Sequence, residues 1–286
     1  MSGILISAKP ITNDSKPYLL FQSHNGSTDK LELTKDQQIH IAIEDPDNRF
    51  CIGWYDIADH TNHPCPNNSN VDQKYESCFV CRSKTNFNPA FYNTANVSSE
   101  QLAYNQSSHT VYIAYFGNNI AKAGIMSDSR GLTRLYEQGA LLYSIIGSFP
   151  NADEARKKEK QLIGFGLKES VRKNQKEVAL TSPIDEEIEK QSFSNILEIL
   201  NLNTNPKIES SLKTYFFGSY QTIPVKKLPE GESISGTIKA VVGRYLILEN
   251  NNRLYGFWLT DLYGYKLSIS SQIIPIKPEP EQVGLF

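Results

Sequence analysis

Three short runs near the start of the chain favour extended structure: Tyr18-Leu-Leu-Phe21, Lys30-Leu-Glu-Leu33 and Ile39-His-Ile-Ala-Ile43. The last alternates apolar and polar positions with a period of two, the pattern of a half-buried strand. Residues 51–108 lose this periodicity and are rich in Asn, Pro, Ser and Cys. Such a stretch buries little apolar surface and needs another source of order. From 109 to 200 strand and helix signals alternate. Val111–Phe116 reads as a strand, Gly117-Asn118-Asn119 as a turn, and a second short strand ends at Lys122-Ala123-Gly124. Thr133–Gln138 reads as a helix and Leu141–Phe149 as a third strand. Asn151 followed by Glu154 predicts a capped helix start, and Gly164-Phe165-Gly166 its end. Ser182-Pro183 opens a further amphipathic helix, with Ile184, Ile188, Ile196, Leu197 and Leu200 on the inward side. After a linker at Asn201–Pro206, the runs Ser235–Val242, Arg244–Glu249 and Leu254–Leu259 follow. Gly243 and Asn250-Asn251-Asn252 join them into an antiparallel, barrel-like meander. The tail from Ile276 reads as extended.

These signals predict an α+β protein with four parts. Residues 1–108 form a β segment with a cysteine-bearing module, 109–203 a small mixed sheet with helices, 204–272 a β domain, and 273–286 a tail. The 286 residues allow two or three modest domains. No apolar run approaches the ~20 residues that span a bilayer. The start lacks a signal-peptide pattern, so the expected location is the cytoplasm. A net charge of −2 argues against a broad basic coat for nucleic acid. It leaves room for a local track, and Arg156-Lys157-Lys158, Lys160, Lys168, Arg172, Lys173 and Lys176 form either that or a solvated helix face.

All four cysteines, Cys51, Cys65, Cys78 and Cys81, fall in the stretch without periodicity. Cys78-Phe-Val-Cys81 is a C-x-x-C pair, whose turn lets two sulfurs reach one ion. A four-cysteine structural zinc site would supply the missing order. Two disulfides or unrelated buried cysteines are the alternatives, and His60 or His63 could replace one sulfur. Trp54, Phe79, Phe87, Phe91 and Tyr92 read as the module's small core.

In the strand containing Tyr112, side-chain alternation puts Tyr112 and Ala114 on one face and Val111, Ile113 and Tyr115 on the other. Tyr112 and Tyr115 therefore do not serve one site. On the helix after Asn151, Glu159 shares the face of Ala152, Ala155, Leu162 and Ile163. A carboxylate there is costly unless paired or bound to a cation. The residues leave open whether Glu159 binds a metal or pairs with a buried arginine, Arg134 among the candidates.

The order of these residues resembles the GIY-YIG endonuclease superfamily, over roughly residues 109–165. Thr110-Val111-Tyr112 stands at the first motif and Lys122-Ala123-Gly124 at the second. Arg134 stands on the first helix, and Glu159 follows Glu154-Ala155 on the next. The resemblance implies phosphodiester hydrolysis with Mg²⁺ or Mn²⁺ at Glu159, Arg134 on the phosphoryl oxygens, and Tyr112 orienting or deprotonating water. Lys122 replaces the second tyrosine as a phosphate contact, Gln161 stands at a family asparagine, and His109 is a candidate proton carrier. The chain also looks like a prokaryotic family without an assigned activity. In that family a C-x-G-W, P-C-P and C-x-x-C module precedes the same block, here Cys51–Trp54, Pro64–Pro66 and Cys78–Cys81, followed by Phe87-Asn-Pro-Ala-Phe-Tyr-Asn93.

The last residues, Gln282-Val283-Gly284-Leu285-Phe286, resemble the bacterial sliding-clamp-binding peptide, with Gln282, Leu285 and Phe286 as its anchors. Together these features lead to the expectation of a structure-selective DNA endonuclease in repair or replication, recruited by the clamp. A binding protein of the same fold that no longer cuts, and an RNA-binding or RNA-processing protein, are the alternatives.

Overall fold

The computed structural model describes residues 1–9, 16–23, 26–57, 60–85, 97–181, 185–200, 222–225 and 233–275. The segment with Phe87, Phe91 and Tyr92, the Ser182–Ile184 helix start, the 201–206 linker and the tail with Gln282, Leu285 and Phe286 lie outside these residues. The fold is α+β, as the alternating signals imply. A nine-stranded sheet has the order β10-β13-β12-β11-β4-β14-β1-β2-β3. Its members are β1 (Ser2–Lys9), β2 (Tyr18–Gln22), β3 (Thr28–Glu32), β4 (Gln38–Ile43), β10 (Thr222–Pro224), β11 (Ser233–Val242), β12 (Tyr245–Asn250), β13 (Arg253–Trp258) and β14 (Lys266–Ser270). All neighbours are antiparallel except β10 and β13.

The sheet corrects one expectation. β4 pairs with β11 and β14, and β14 pairs with β1. The strands read as an N-terminal segment and a C-terminal domain thus share one sheet. One face of β1, β2, β4, β11, β12, β13 and β14 converges on a common core that includes Leu5, Phe21, Ile41, Ile238, Leu248, Phe257 and Leu267. β1 carries no clear alternation because six of its eight residues are buried. A strand covered on both faces reads as a continuous run rather than a period of two. The β11–β12 and β12–β13 turns fall where glycine and asparagine predicted them, with Gly243, Asn251 and Asn252 all at positive φ.

A second sheet, β8-β7-β9, is sandwiched between helices. It comprises β7 (His109–Tyr115), β8 (Ala121–Ser127) and β9 (Leu142–Phe149). Val111, Ile113 and Tyr115 pack against Ala155 and Leu162 of α4 (Ala152–Gly164) and Phe193 and Leu197 of α6 (Glu186–Ile199). Tyr112 and Ala114 pack on the opposite face against Leu135 and Tyr136 of α3 (Thr133–Gln138). The alternation read from the sequence holds: Tyr115 donates its hydroxyl to Glu189 beneath the Gly117–Asn119 turn, while Tyr112 faces away. The cap of α4 is also as expected, with Asn151 Oδ1 accepting from Glu154 N–H at 2.9 Å. The cap of α6 differs. Asp185 accepts from the N–H groups of Glu187 and Ile188, the helix starts at Glu186, and Ile188 is 63% exposed. Phe193 takes the inward place, which re-phases the buried stripe.

Two further helices were not legible in the sequence, α2 (Ser99–Gln106) and α5 (Lys173–Thr181). The second ties the sheets together. Its Leu180 packs on Val242, Tyr245 and Trp258, its Glu177 accepts from Trp258 Nε1 at 2.7 Å, and Lys173 pairs with Asp261 at 2.5 Å. Beside it the α3–β9 and β11–β12 turns meet backbone to backbone. A Cβ on Gly243 would lie 2.7 Å from Gly139 N. The shared sheet has a testable consequence. A fragment beginning at residue 204 deprives β11 of β4, and β14 of both β1 and β4. Circular dichroism of that fragment is expected to show no cooperative thermal transition, whereas the full chain melts cooperatively.

Candidate metal centre and candidate active site

Among the described residues between β4 and α2, the regular elements are the two-residue strands β5 (Trp54–Tyr55) and β6 (Asn62–His63) and the one-and-a-half-turn α1 (Phe79–Lys84). Its order comes from sulfur. The Sγ atoms of Cys51, Cys65, Cys78 and Cys81 lie within 4.8 Å of one another, and Cys51, Cys65 and Cys81 are buried. All four are free thiols, which removes the disulfide alternative. A tetrahedral ion with Zn–S bonds of about 2.3 Å needs sulfurs about 3.8 Å apart, so the cluster fits a metal such as zinc with little adjustment. Cys51 Sγ accepts from Gly53 N–H at 3.3 Å and Cys78 N–H at 3.1 Å. Gly53, at φ +83, has no room for a side chain: a Cβ would sit 1.8 Å from His63 O. That clash explains the glycine two residues after the first cysteine.

Burial pushes the Cys51 thiol up to about 11 and Cys81 higher still. Burial also acts upward on Cys78, but hydrogen bonds from the Cys81 backbone and from the Cys81 and Cys51 thiols outweigh it and bring Cys78 down to about 7. Buried thiols resist charge without a cation, and a bound divalent ion reverses that balance. His60 and His63 do not replace a sulfur. His63 stacks on Trp54 with ring centres 4.8 Å apart, and His60 bridges Tyr55 and Ser129. Phe79 is 77% exposed and is no part of the module's core. The module docks on the large sheet through Gln22, whose side-chain amide accepts from Cys65 N–H at 3.1 Å and donates to Cys65 C=O at 2.8 Å. Arg49 Nε donates to Tyr263 C=O at 2.9 Å nearby.

The second cluster is built from β7, β8, α3 and α4 around the small sheet, with Tyr112 on the α3 face. Tyr112 pairs across the ladder with Gly124, and the Tyr112 ring covers it: a Cβ there would lie 2.5 Å from the phenol oxygen. The hydroxyl accepts from Gln138 Nε2 at 2.7 Å, and the same amide donates to Arg134 C=O at 3.0 Å, since 134 and 138 are one helical turn apart. Lys122 pairs with Ala114 in the ladder. Glu159 projects from α4, buried and accepting from Arg156, which also reaches Glu169 at 2.7 Å. The arginine that pairs Glu159 is therefore Arg156, three residues away, and not Arg134.

Electrostatics link the four residues. Burial raises Tyr112 above the usual phenol range; Arg134 pulls it down and Glu159 pushes it up. Burial, reinforced by Arg134 and opposed by Glu159 and Glu169, brings Lys122 down to about 8. Sequence reasoning passed over Lys176 as one charge in a basic run. Burial, with Lys122, Arg134 and Arg244 nearby, brings it down to about 7. Its ammonium donates to Gln138 C=O at 2.6 Å and lies 4.6 Å from the Phe116 ring centre. Lysines this depressed and this close to arginines mark a place short of negative charge. His109 is fully buried at the far end of β7, on the Val111 face by alternation, with Nδ1 against Ser107 C=O and the ring edge-on to Tyr104. It stands apart from Tyr112 and reads as structural. Lys157 pairs with Asp153 and Glu154 on a solvated face, so the basic run divides between surface and site.

Three tests follow from this geometry. Purified protein is expected to carry about one zinc per chain by elemental analysis, and Cys81→Ser to lose it. Gln22→Ala leaves the cysteines in place but strips the partners of Cys65, so a chelator competition is expected to show roughly 10-fold weaker zinc retention. The third concerns pH. A lysine whose folded pKa lies below its unfolded value costs stability while both states hold the proton, below about 7 for Lys176. The cost fades as pH rises from there toward 10.5, because the folded state gives up its proton first. Lys176→Met is therefore expected to raise Tm more at pH about 6 than at pH about 10, read by calorimetry.

No helix among the described residues is long and apolar enough to cross a membrane. No curated protein and no solved structure matches the chain. Residues 40–266 match a family described as "Protein of unknown function (DUF2797)". That span takes in the four cysteines, Tyr112, Lys122, Arg134 and Glu159. As it covers most of the 286 residues, the chain belongs to the DUF2797 family.

Proposed function

We propose that this chain is a metal-dependent, structure-selective DNA endonuclease acting in repair or replication. The observation that carries the reading is the meeting of Tyr112, Lys122, Arg134 and Glu159. They come from four different elements and act on one another electrostatically. A surplus of cations over one buried carboxylate suits a phosphodiester, whose charge grows as the reaction proceeds. Arg134 and Lys122 bind the phosphoryl oxygens. Tyr112 keeps its proton at neutral pH through burial, so the phenol, held by Gln138, orients the attacking water. Glu159 is the single acidic ligand, a donor set that Mg²⁺ or Mn²⁺ completes with water and substrate oxygens. Glu159 would hold such an ion, and the ion would supply Lewis-acid polarisation of the phosphate and charge stabilisation at the leaving oxygen. Arg156 then keeps its second contact, to Glu169, when it releases Glu159.

The pairing of Glu159 with Arg156, and Lys122 where the resemblance has a tyrosine, favour a second reading: a DNA-structure-binding protein that does not cut. The deciding experiment presents flapped, branched, nicked and single-stranded DNA and RNA with Mg²⁺ or Mn²⁺. The wild type is expected to cut a DNA structure, and Glu159→Ala and Arg134→Ala each to lower the rate by at least about 10²-fold. Tight binding without cutting by folded protein selects the second reading, and cutting of RNA alone sinks the DNA assignment. Recruitment by the sliding clamp rests on Gln282, Leu285 and Phe286. Removing the last two residues is expected to abolish capture by immobilised clamp while leaving cutting unchanged.

A further inference from the structure

A cavity of about 300 Å³ opens where the large sheet, the cysteine module and the small sheet meet. Lys9 comes to it from the end of β1, Tyr55 from β5, Arg130 from the turn after β8, Glu137 from α3 and Arg244 from the β11–β12 turn. The cations outnumber the anions. Arg130 pairs with Glu137, and Arg134 and Arg244 each reach the same carboxylate oxygen only at 4.0 Å. Lys9 makes no ion pair among the described residues, and among them Glu76 is the one further carboxylate on the wall. Among the described lining residues, three cations thus face two carboxylates. Arg244 Nε is buried without an acceptor among the described residues. An unsatisfied buried donor in a positive cavity points to a missing anion. Lys9 Nζ and the Arg130 guanidinium lie 5.6 and 5.7 Å from the Tyr55 ring centre, so an aromatic face adjoins the charge.

We propose that this cavity binds the terminal phosphate monoester of a nucleic-acid strand. A monoester carries nearly two negative charges near neutrality, against one for a backbone diester, and so gains more from Lys9, Arg130 and Arg244 around one recess. Its oxygens accept from the Arg244 and Arg130 guanidiniums and from Lys9, and Tyr55 offers the terminal nucleotide a ring to stack on. Helix α3 links this cavity to the candidate active site, with Glu137 facing one and Arg134 and Gln138 serving the other. The inference rests on the nucleic-acid reading above and adds strand-end recognition to it.

The test uses full-length, zinc-loaded protein without Mg²⁺ or Mn²⁺. Calorimetry compares single strands of one sequence bearing a 5′-phosphate, a 3′-phosphate or only hydroxyl ends, alongside adenosine monophosphate and inorganic phosphate. One phosphorylated end is expected to bind about 10-fold tighter than the hydroxyl strand. Lys9→Met and Arg244→Gln should each erase the gap, and Glu159→Ala should keep it. Equal affinities, a gap that survives both substitutions in folded protein, or binding of the mononucleotide but not of the phosphorylated strand each overturn the proposal. An end preference without any cutting leaves it standing and removes the nuclease reading; cutting without an end preference does the reverse.

Discussion

Four sulfur atoms within 4.8 Å of one another are the constraint on which the rest of this structure hangs. The residues around them form two strands of two residues each and one short helix, far too little to fold alone. A metal held by these sulfurs would fix the loops from which Trp54 and Tyr55 project. Gln22 and Arg49 then transmit that order to the large sheet, one through both backbone groups of Cys65 and the other through Tyr263. The wall of the junction cavity is therefore held from one side by the cysteine cluster and from the other by strands drawn from both ends of the chain. Its geometry depends on all three units being folded at once.

The second constraint is steric. At Gly53, Gly124 and Gly243 the atoms that would meet a Cβ are a carbonyl, a tyrosine ring and a neighbouring backbone, in that order. Each glycine sits where two functional pieces touch: the cysteine loop on β6, the Tyr112 ring on its partner strand, and the two turns that lock the sheets together. The small sheet gains its site this way, because the Tyr112 phenol lies flat across the ladder and reaches Gln138 on α3.

What could be read from the sequence follows the same physics. Strands with one buried face, such as β4 and β9, announce themselves by composition and alternation, and so do glycine and asparagine turns. Glu159 was legible as a carboxylate on an apolar face, and the clustering of all the cysteines marked the metal centre. β1 was not legible, because a strand buried on both faces has no period, and neither was the joining of strands from opposite ends of the chain, which depends on pairings more than 200 residues apart. Ile188 was misplaced because the cap is Asp185, and a shift of the helix start rotates the whole stripe. Lys9, Lys176 and Arg244 carry no local signal at all. Each is an ordinary surface-type residue until folding buries it beside other cations.

Those buried cations are also the strongest physical argument about function. Ordinary proteins pair a buried lysine with a carboxylate, because an uncompensated charge costs stability. Here Lys122 and Lys176 are brought down to about 8 and about 7 by burial and by neighbouring guanidiniums. Across α3, Lys9 is lowered chiefly by burial, with Glu137 acting upward and Arg244 and Arg130 downward. Lysines on both sides of α3 are thus lowered by burial, although the net charge of the chain is −2. A chain of near-neutral net charge that half-buries several cations beside one another keeps its positive charge at defined points rather than along a broad coat, and each such lysine stores a cost that a nearby anion would relieve.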